Sequence, residues 1–229
     1  MAEKKETVLY LADVRPLKDP ALWAPALERV PPQRRQKAEA FLRPSDARLC
    51  LGAGVLLQAA LEQAGIPAEK QAFSVSEQGK PYLTDGGVQF SLSHSGDYAL
   101  CAVSDGPVGC DLQKTGPARM KTARRFFCPS EYELLLAQPE PEMRDLMFCR
   151  LWTLKESWLK ARGTGIFSGM NGMELRFDAQ NCPCPVSDGE AVWTFWEYSD
   201  LSWYGCALCV PFGTERPAIR KVRLEELLH

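Results

Sequence analysis

One segment in the second half of the chain, residues 151–163, reads Leu-Trp-Thr-Leu-Lys-Glu-Ser-Trp-Leu-Lys-Ala-Arg-Gly. Its apolar residues recur at helical spacing, which predicts an amphipathic helix with one buried stripe. Glycines at 163 and 165 predict the end of the helix, because glycine readily adopts the left-handed conformation found there. The stripe consists of Met147, Leu151, Leu154, Trp158 and Ala161.

The opposite face of this helix carries Lys155, Glu156 and Lys160. Glu156 and Lys160 are four residues apart and therefore lie one above the other. Taken alone, this helix suggests an exposed ion pair, which contributes only about 0.3–0.5 kcal/mol to stability. The remainder of the sequence favours a functional role.

The composition indicates a folded chain of ordinary charge. Its 229 residues are 45% apolar and 24% charged, with a formal net charge of −2. We therefore expect one large or two small domains and no nucleic-acid partner. Residues 1–10 do not resemble a signal peptide, and no run approaches the roughly 20 apolar residues of a membrane span. We expect a cytoplasmic monomer without a membrane partner.

The nine cysteines have no framework spacing, which indicates reduced thiols in a cytoplasm. The pairs Cys182/Cys184 and Cys206/Cys209 raise the question of a zinc site. If residues 204–210 form a strand, however, Cys206 and Cys209 point to opposite faces, and no histidine lies near them. The sequence therefore argues against zinc.

The first half of the chain predicts a strand, three helices and then further strands. The third helix is long, and Ser45 or Asp46 can cap it. Turn-forming glycines and prolines separate the strands. The predicted elements are a strand over 7–14, helices over 21–29, 33–41 and up to Leu61, and strands over 72–76, 88–93 and 98–104.

Several polar residues of this half are candidate anion contacts. Arg48 falls in the first turn of the long helix, where a cation opposes the helix dipole; it indicates either a nearby anion or a solvated side chain. His94 ends the strand 88–93 among Ser91, Ser93 and Ser95. A lone turn histidine is usually a surface residue, but hydroxyls and backbone N–H groups can also line a phosphate site.

In the second half, Asp111 and Gln113 lie on one face of a predicted strand over 108–113. A carboxylate and an amide at this spacing can share a hard cation. A basic helix then carries Arg119, Lys121, Arg124 and Arg125, either as a solvated face or as a docking site. We further predict a helix over 129–136, strands near 173–177, 191–196 and 205–210, and a domain boundary near Ser104–Pro107.

Five motifs in this order resemble the 4′-phosphopantetheinyl transferases. Each motif alone is weak, but five in the right order are specific. Their order and spacing are similar to those of the long, single-chain, surfactin-type group, and the resemblance runs from Pro32 to Leu228. The motifs are Gly79-Lys80-Pro81, Phe90-Ser-Leu-Ser-His-Ser95, Gly109-Cys-Asp-Leu-Gln-Lys114, Phe126-Phe127 and Leu151–Lys160.

The resemblance implies an α+β fold of two similar lobes in pseudo-twofold relation, each a small, mostly antiparallel sheet packed against a long helix, with coenzyme A in the cleft between them. Residues 1–105 would bind coenzyme A, and residues 106–229 would supply metal binding, catalysis and carrier docking. The implied reaction transfers 4′-phosphopantetheine from coenzyme A to a serine of an acyl or peptidyl carrier protein. It requires Mg²⁺ and releases adenosine 3′,5′-bisphosphate.

The resemblance also assigns residues. Asp111 and Glu156 match the metal carboxylates, and Gln113 stands where a second strand acid is expected. Lys160 matches the lysine near the pyrophosphate, with Lys155 beside it. Glu156 is our candidate base, acting directly or through water. The remaining matches to coenzyme A contacts are Lys80, Ser93 and His94, the basic positions Arg34 and Lys37, and Arg48 near the 3′-phosphate.

The sequence departs from the family pattern in the first half as well, since Leu49 and Cys50 replace an arginine and a threonine that contact the nucleotide. Two other functions fit parts of the sequence. A binding module without turnover would agree with Gln113, and a Mg²⁺-dependent nucleotide hydrolase would agree with the metal residues. The hydrolase leaves the basic residues of the first half unexplained.

Overall fold

The computed structural model describes residues 6–165 and 169–228, so the start of the N-terminal stretch considered above, residues 1–5, lies outside the described residues. The chain forms two compact units. Unit 1 contains Met1–Ser74, Pro81–Asp105 and Pro217–His229, and unit 2 contains Val75–Lys80 and Gly106–Arg216.

Most of the predicted elements are present. The helices are α1 Pro20–Arg29, α2 Pro32–Glu39, α3 Pro44–Gln63, α4 Met120–Phe126, α5 Pro129–Leu136 and α6 Pro141–Arg162. The strands are β1 Thr7–Asp13, β2 Phe73–Val75, β3 Pro81–Leu83, β4 Gln89–Ser95, β5 Tyr98–Ser104, β6 Gly109–Lys114, β7 Val186–Ser187, β8 Val192–Glu197, β9 Tyr204–Pro211 and β10 Ile219–Val222.

The predicted strand over 173–177 is wrong. Only Phe177 forms a bridge there, with Pro183. Met173 and Leu175 are buried in the apolar core of unit 2, and the Leu175 N–H donates to the side chain of Glu131 instead of to a neighbouring strand. Apolar and polar residues alternate in this segment because it is extended and packs one side on the core. Alternation alone does not require a hydrogen-bonded neighbouring strand.

The predicted cap of α3 is also wrong. The helix begins at Pro44, and the capping residue Arg43 makes no side-chain cap hydrogen bond. Proline suits the first helical position because it has no N–H group to leave unsatisfied. Arg48 is consequently the fifth helical residue, beyond the first turn in which the helix dipole acts strongly. The dipole argument for an anion near Arg48 is lost.

Unit 1 contains a four-stranded sheet in the order β10-β1-β5-β4. β1 pairs antiparallel with β5 and parallel with β10, and β4 pairs antiparallel with β5. α3 packs on β1, β4 and β5, and leucine, valine and alanine side chains from these elements form the core. β2 and β3 form a separate two-stranded sheet.

Unit 2 contains an antiparallel sheet in the order β6-β9-β8-β7. α6 packs directly on β6 and β9. Leu151, Leu154, Trp158 and Ala161 of the predicted stripe are buried, and Met147 is partly buried. α6 ends at Gly163 with φ 71°, as the sequence predicts.

Each unit, taken by itself, therefore has a small sheet packed against one long helix, which agrees with the predicted α+β class. In the part of the chain that is described, no helix combines the length and apolar character needed to span a bilayer.

Candidate active site

The site in unit 2 depends on a close approach between β6 and α6. A Cβ atom at Gly109 would overlap the Ser157 carbonyl oxygen and the Ala161 backbone nitrogen. Glycine at this position therefore allows the strand to lie on the helix backbone. Two residues later on the same strand face, Asp111 is only 5% exposed. The strand thus delivers a carboxylate to the surface of α6.

Lys160 meets that carboxylate. Its ammonium group lies 2.6 Å from Asp111 Oδ1 and donates a second hydrogen bond to the Cys110 carbonyl at 3.1 Å. Burial lowers the pKa of Lys160, but the adjacent Asp111 carboxylate outweighs burial, and the net shift is upward. Lys160 is therefore held as a cation beside the carboxylate.

Glu156 lies one helical turn before Lys160 and is 7% exposed. Its Oε1 atom is buried and has no hydrogen-bond partner among the residues that the structure describes. Burial raises the pKa of Glu156 to about 7, the Asp111 charge adds to the increase, and Lys160 opposes it. The exposed ion pair that the helix alone suggested is wrong, since Glu156 is buried and Lys160 bonds to Asp111.

These residues fit a hard divalent cation. A buried carboxylate oxygen without a partner is costly unless a ligand satisfies it, and the Asp111 carboxylate is close enough to raise the pKa of Glu156. Gln113 follows on the same face of β6 and is half-buried. Mg²⁺ commonly takes only one or two protein carboxylates and completes its shell with substrate phosphates and water.

The cysteines do not add to this site. All nine are free thiols. Within the described ranges, no group of three or more His, Cys, Asp or Glu side chains could hold a metal ion. Cys206 and Cys209 lie on the predicted strand, now β9, and are three residues apart.

Lys80 belongs to unit 2 and lies at the end of α6. Its ammonium group donates to the Lys160 carbonyl at 2.6 Å and to the Val108 carbonyl at 3.4 Å. Burial lowers the pKa of Lys80. The Lys160 carbonyl also accepts the Gly163 N–H at 3.2 Å, so Lys80 adds a second, charged donor to it. Lys80 therefore connects the end of α6 to the residue before β6.

Lys155 is not with Glu156 and Lys160. Its side chain is fully buried and pairs with Glu131 at 2.7 Å, where Glu131 is also fully buried. The structure thus brings Asp111, Glu156 and Lys160 together and turns Lys155 away into the core of unit 2.

The other candidate residues lie in unit 1. Arg34 is half-buried on α2, where its stem packs beside Gly54 of α3, and Lys37 is exposed on the same helix. Arg48 is half-buried on α3. On β4, Ser93 is buried and His94 is exposed, on the strand face that also carries Phe90. Their assignment to coenzyme A stays a prediction.

The basic helix α4 follows the end of β6 in the chain. Arg119, Lys121, Arg124 and Arg125 are all exposed. Of these four, Arg119 lines a cavity of about 220 Å³, whose lining also includes Gln113, Phe148 and Trp152. The end of β6 and the start of α4 therefore share one cavity.

Sequence reasoning missed two contributors to this arrangement. The sequence showed Gly109 only as part of a motif and did not indicate that its missing side chain allows β6 to lie directly on α6. Glu131 was not considered at all. The only signal for it was an acidic residue three positions after Cys128, the spacing of a capping box, and Glu131 does accept the Cys128 N–H.

Comparison with known families agrees with the motifs. Residues 107–209 match the profile described as the 4′-phosphopantetheinyl transferase superfamily. Residues 16–105 match the one described as 4′-phosphopantetheinyl transferase, N-terminal.

Individual relatives cover most of the chain. The 4′-phosphopantetheinyl transferase Sfp of Bacillus subtilis (strain 168) is 32% identical over 203 residues, which is 87% of this chain and 90% of the relative. The 4′-phosphopantetheinyl transferase psf-1 of Bacillus pumilus is 34% identical over 81% of this chain and 79% of the relative. The L-aminoadipate-semialdehyde dehydrogenase-phosphopantetheinyl transferase of Xenopus laevis is 28% identical over 77% and 67% of the two chains.

Both halves of the chain match profiles of one family, and relatives that cover more than four-fifths of the chain are about a third identical to it over the aligned residues. The predicted family and transferase class are confirmed: the chain belongs to the 4′-phosphopantetheinyl transferase superfamily.

Proposed function

We propose that this protein transfers the 4′-phosphopantetheine group from coenzyme A to a serine hydroxyl of an acyl or peptidyl carrier protein and releases adenosine 3′,5′-bisphosphate. The observation that carries the proposal is the arrangement of two buried carboxylates, Asp111 and Glu156, with the half-buried Lys160 in a member of this family. Breaking a pyrophosphate is phosphoryl transfer, in which positioning and charge neutralisation provide most of the catalysis.

Asp111 and Glu156, with the side-chain oxygen of Gln113, would hold Mg²⁺ in this proposal. The unpartnered Oε1 of Glu156 supports the assignment. When bound, the ion would supply positive charge against the pyrophosphate oxygens. Two carboxylates and one amide make a site of modest charge, which suits an ion that shares its coordination shell with substrate phosphates.

Lys160 would place a second positive charge next to the reacting phosphate. Its hydrogen bonds to Asp111 and to the Cys110 carbonyl hold the ammonium group in position before the substrate arrives. A preorganised cation stabilises developing charge without reorganising during the reaction. Glu156, directly or through a water molecule, would accept the proton of the carrier serine.

The donor site would draw on the basic residues of unit 1. Arg34, Lys37 and Arg48 are assigned to the 3′-phosphate side of coenzyme A, and Ser93 and His94 to further contacts with it. Arg34 and Lys37 share α2, which packs on the helix that carries Arg48. Three cations on two packed helices support an anion site.

We assign carrier docking to α4. Four exposed basic side chains in seven residues, next to the cavity at Gln113, present a surface that favours an acidic partner. Because such docking is steered by charge, the carrier KM should rise with salt while coenzyme A binding changes less. Arg124→Glu should raise the carrier KM, and Arg176→Glu, an equal charge change at an exposed position of the same unit, should not. Equal effects of both variants would exclude α4 as the docking site.

A cytoplasmic, monomeric enzyme completes the proposal. Nine free thiols support a reducing compartment.

The deciding experiment is mass spectrometry of an apo carrier protein incubated with this protein, coenzyme A and Mg²⁺. Gain of the phosphopantetheine mass by the carrier, abolished by EDTA, is the expected result. Breakdown of coenzyme A without that gain would indicate a hydrolase. Coenzyme A binding without either reaction would indicate a module without turnover.

A further inference from the structure

The ion pair between Lys155 and Glu131 is fully buried in unit 2. Both side chains are 0% exposed. Lys155 Nζ lies 2.7 Å from Glu131 Oε1, donates to the Met173 carbonyl at 2.5 Å and approaches Cys128 Sγ at 4.0 Å. All three ammonium protons therefore have acceptors within the protein.

Glu131 is equally engaged. Its Oε1 also accepts from the Leu175 N–H and its Oε2 from the Cys128 N–H, both at 2.8 Å. The pair thus joins α6 to the first turn of α5 and to the extended segment around residue 174. Lys155 could reach a phosphate only by leaving Glu131 buried and unpaired, which is strongly unfavourable. This contradicts a role for Lys155 as a contact of coenzyme A.

Stability alone does not explain such a pair. An apolar pair of similar volume usually stabilises a protein at least as well, because burying two charges is costly. A hydrogen-bonded pair differs from apolar packing in being directional. The buried pair can therefore fix the orientation of α6, which apolar packing of the same volume would do less strictly.

Glu156, the candidate base, follows Lys155 directly in α6. Consecutive helical side chains point about 100° apart, so fixing Lys155 also fixes the direction of Glu156. On the other side, α6 meets Gly109 and Gly205. The glycine contacts set the distance between strand and helix, and the Lys160–Asp111 ion pair and the hydrogen bond from the Cys149 thiol to the Gln113 carbonyl orient α6 on β6. The Lys155–Glu131 pair adds a buried directional contact from α6 to α5.

We infer that Lys155 and Glu131 are positioning residues, whose buried ion pair fixes the rotation of α6 and so aims Glu156 at Asp111. The inference rests on the proposed function of Glu156. Both side chains are fully buried, so neither would touch coenzyme A or the carrier. Losing the pair should therefore lower kcat and leave coenzyme A affinity nearly unchanged.

The test uses the double variant Lys155→Met/Glu131→Leu, which removes both charges and keeps the volume. Its unfolding midpoint should fall, because the Cys128 and Leu175 N–H groups and the Met173 carbonyl lose their partners, so kcat is measured at a temperature at which circular dichroism shows the variant to be folded. We expect its kcat to fall by about 10- to 10²-fold, the scale of a small misplacement at a reacting centre. Its coenzyme A Kd, measured by calorimetry without carrier, should stay within about threefold of the wild type.

Two controls accompany it. Arg150→Met removes a partly exposed ion pair with Glu197 from the same helix and should keep kcat. Glu131→Gln removes one charge with little change in volume, and the same criteria apply to it if the double variant does not fold.

A folded variant with wild-type kcat would overturn the inference and leave the pair a packing role. A weakened coenzyme A Kd with unchanged kcat would overturn it in favour of Lys155 as a donor contact. Failure of the wild type to load the carrier in the same assay would instead contradict the proposed function.

Discussion

The two long helices of the molecule, α3 and α6, have similar lengths but differ in the polarity of the side chains that they bury. α3 has 20 residues and α6 has 22, and each packs on a four-stranded sheet. Gln58 is the one polar side chain among the buried residues of α3. α6 buries Thr153, Lys155, Glu156 and Ser157 within five residues.

The difference is between a helix that forms an apolar core, α3, and a helix that carries the proposed catalytic residues, α6. Burying apolar surface stabilises α3 at roughly 25 cal/mol per Å². Buried charge in α6 costs several kcal/mol unless a partner offsets it. Lys155 has its partner in Glu131, whereas Glu156 Oε1 lacks one among the described residues. In the proposed function, a bound ligand offsets the cost at Glu156.

The largest loss of transfer rate is expected when the buried charge of Glu156 is removed from α6. Glu156→Gln should fold normally and lose at least about 10²-fold of the transfer rate, the scale of a general-base contribution. Carrier loading followed by mass spectrometry measures it. Gln58→Leu, a change at the buried amide of α3, is the matched control and should retain transfer. Near-normal turnover of Glu156→Gln would remove Glu156 from the mechanism.

The second prediction compares the stability lost when alanine replaces Gly109, which contacts α6, with the stability lost when it replaces a glycine within α3. Gly109→Ala should lower the free energy of unfolding by about 2–3 kcal/mol, since its Cβ meets the rigid backbone of α6. At Gly54 of α3, a Cβ would meet side-chain atoms of Arg34 and Val30 at 3.0 Å and no backbone atom. These side chains need to move by only a few tenths of an ångström, and alanine favours the helix, so Gly54→Ala should cost about 1 kcal/mol or less.

Urea unfolding of the two glycine variants measures the difference. Equal losses of stability would show that β6 and α6 can separate at little cost, and that the close approach at Gly109 does not set the site.

The third prediction tests whether unit 1 is only a scaffold. If Arg34, Lys37 and Arg48 bind the 3′-phosphate, the wild type should prefer coenzyme A to dephospho-coenzyme A. Arg48→Ala should reduce that preference about tenfold, the value of one charged hydrogen bond, and chiefly through KM, because this phosphate is remote from the bond that breaks. Steady-state kinetics with both donors decides it, and equal use of the donors by the wild type would contradict the assignment.

The smallest effect is expected at Gln113. Its amide brings no charge, so the free protein should hold Mg²⁺ weakly until coenzyme A adds anionic oxygens. Metal and donor should then tighten each other's binding equally, and Gln113→Glu should strengthen Mg²⁺ binding to the free protein. Gln113→Ala should be a mild defect that extra Mg²⁺ rescues.

Calorimetric titration of Mg²⁺ with and without a non-reactive coenzyme A analogue checks the coupling. Identical affinities in the two titrations, or a Gln113→Ala variant that stays inactive at saturating Mg²⁺, would contradict this account of the residue.

The sequence by itself determined the elements whose signals are local. Helical spacing of apolar residues and Gly163 located α6, strict alternation located β6, and five ordered motifs identified the family. Spacing along one strand face or one helix face also selected Asp111, Glu156 and Lys160. These properties follow from backbone periods that act over a few residues.

Only the tertiary structure decided which polar groups meet. Lys155 and Lys160 look alike in the sequence, yet one pairs with Glu131 in the core and the other with Asp111 beside Glu156. β10 pairs with β1, although more than 200 residues separate them in the chain. These outcomes depend on contacts between distant segments and on the burial that results. Local period and propensity carry no information about either, because a side chain's partner and its desolvation are set only when helices and strands pack within each unit.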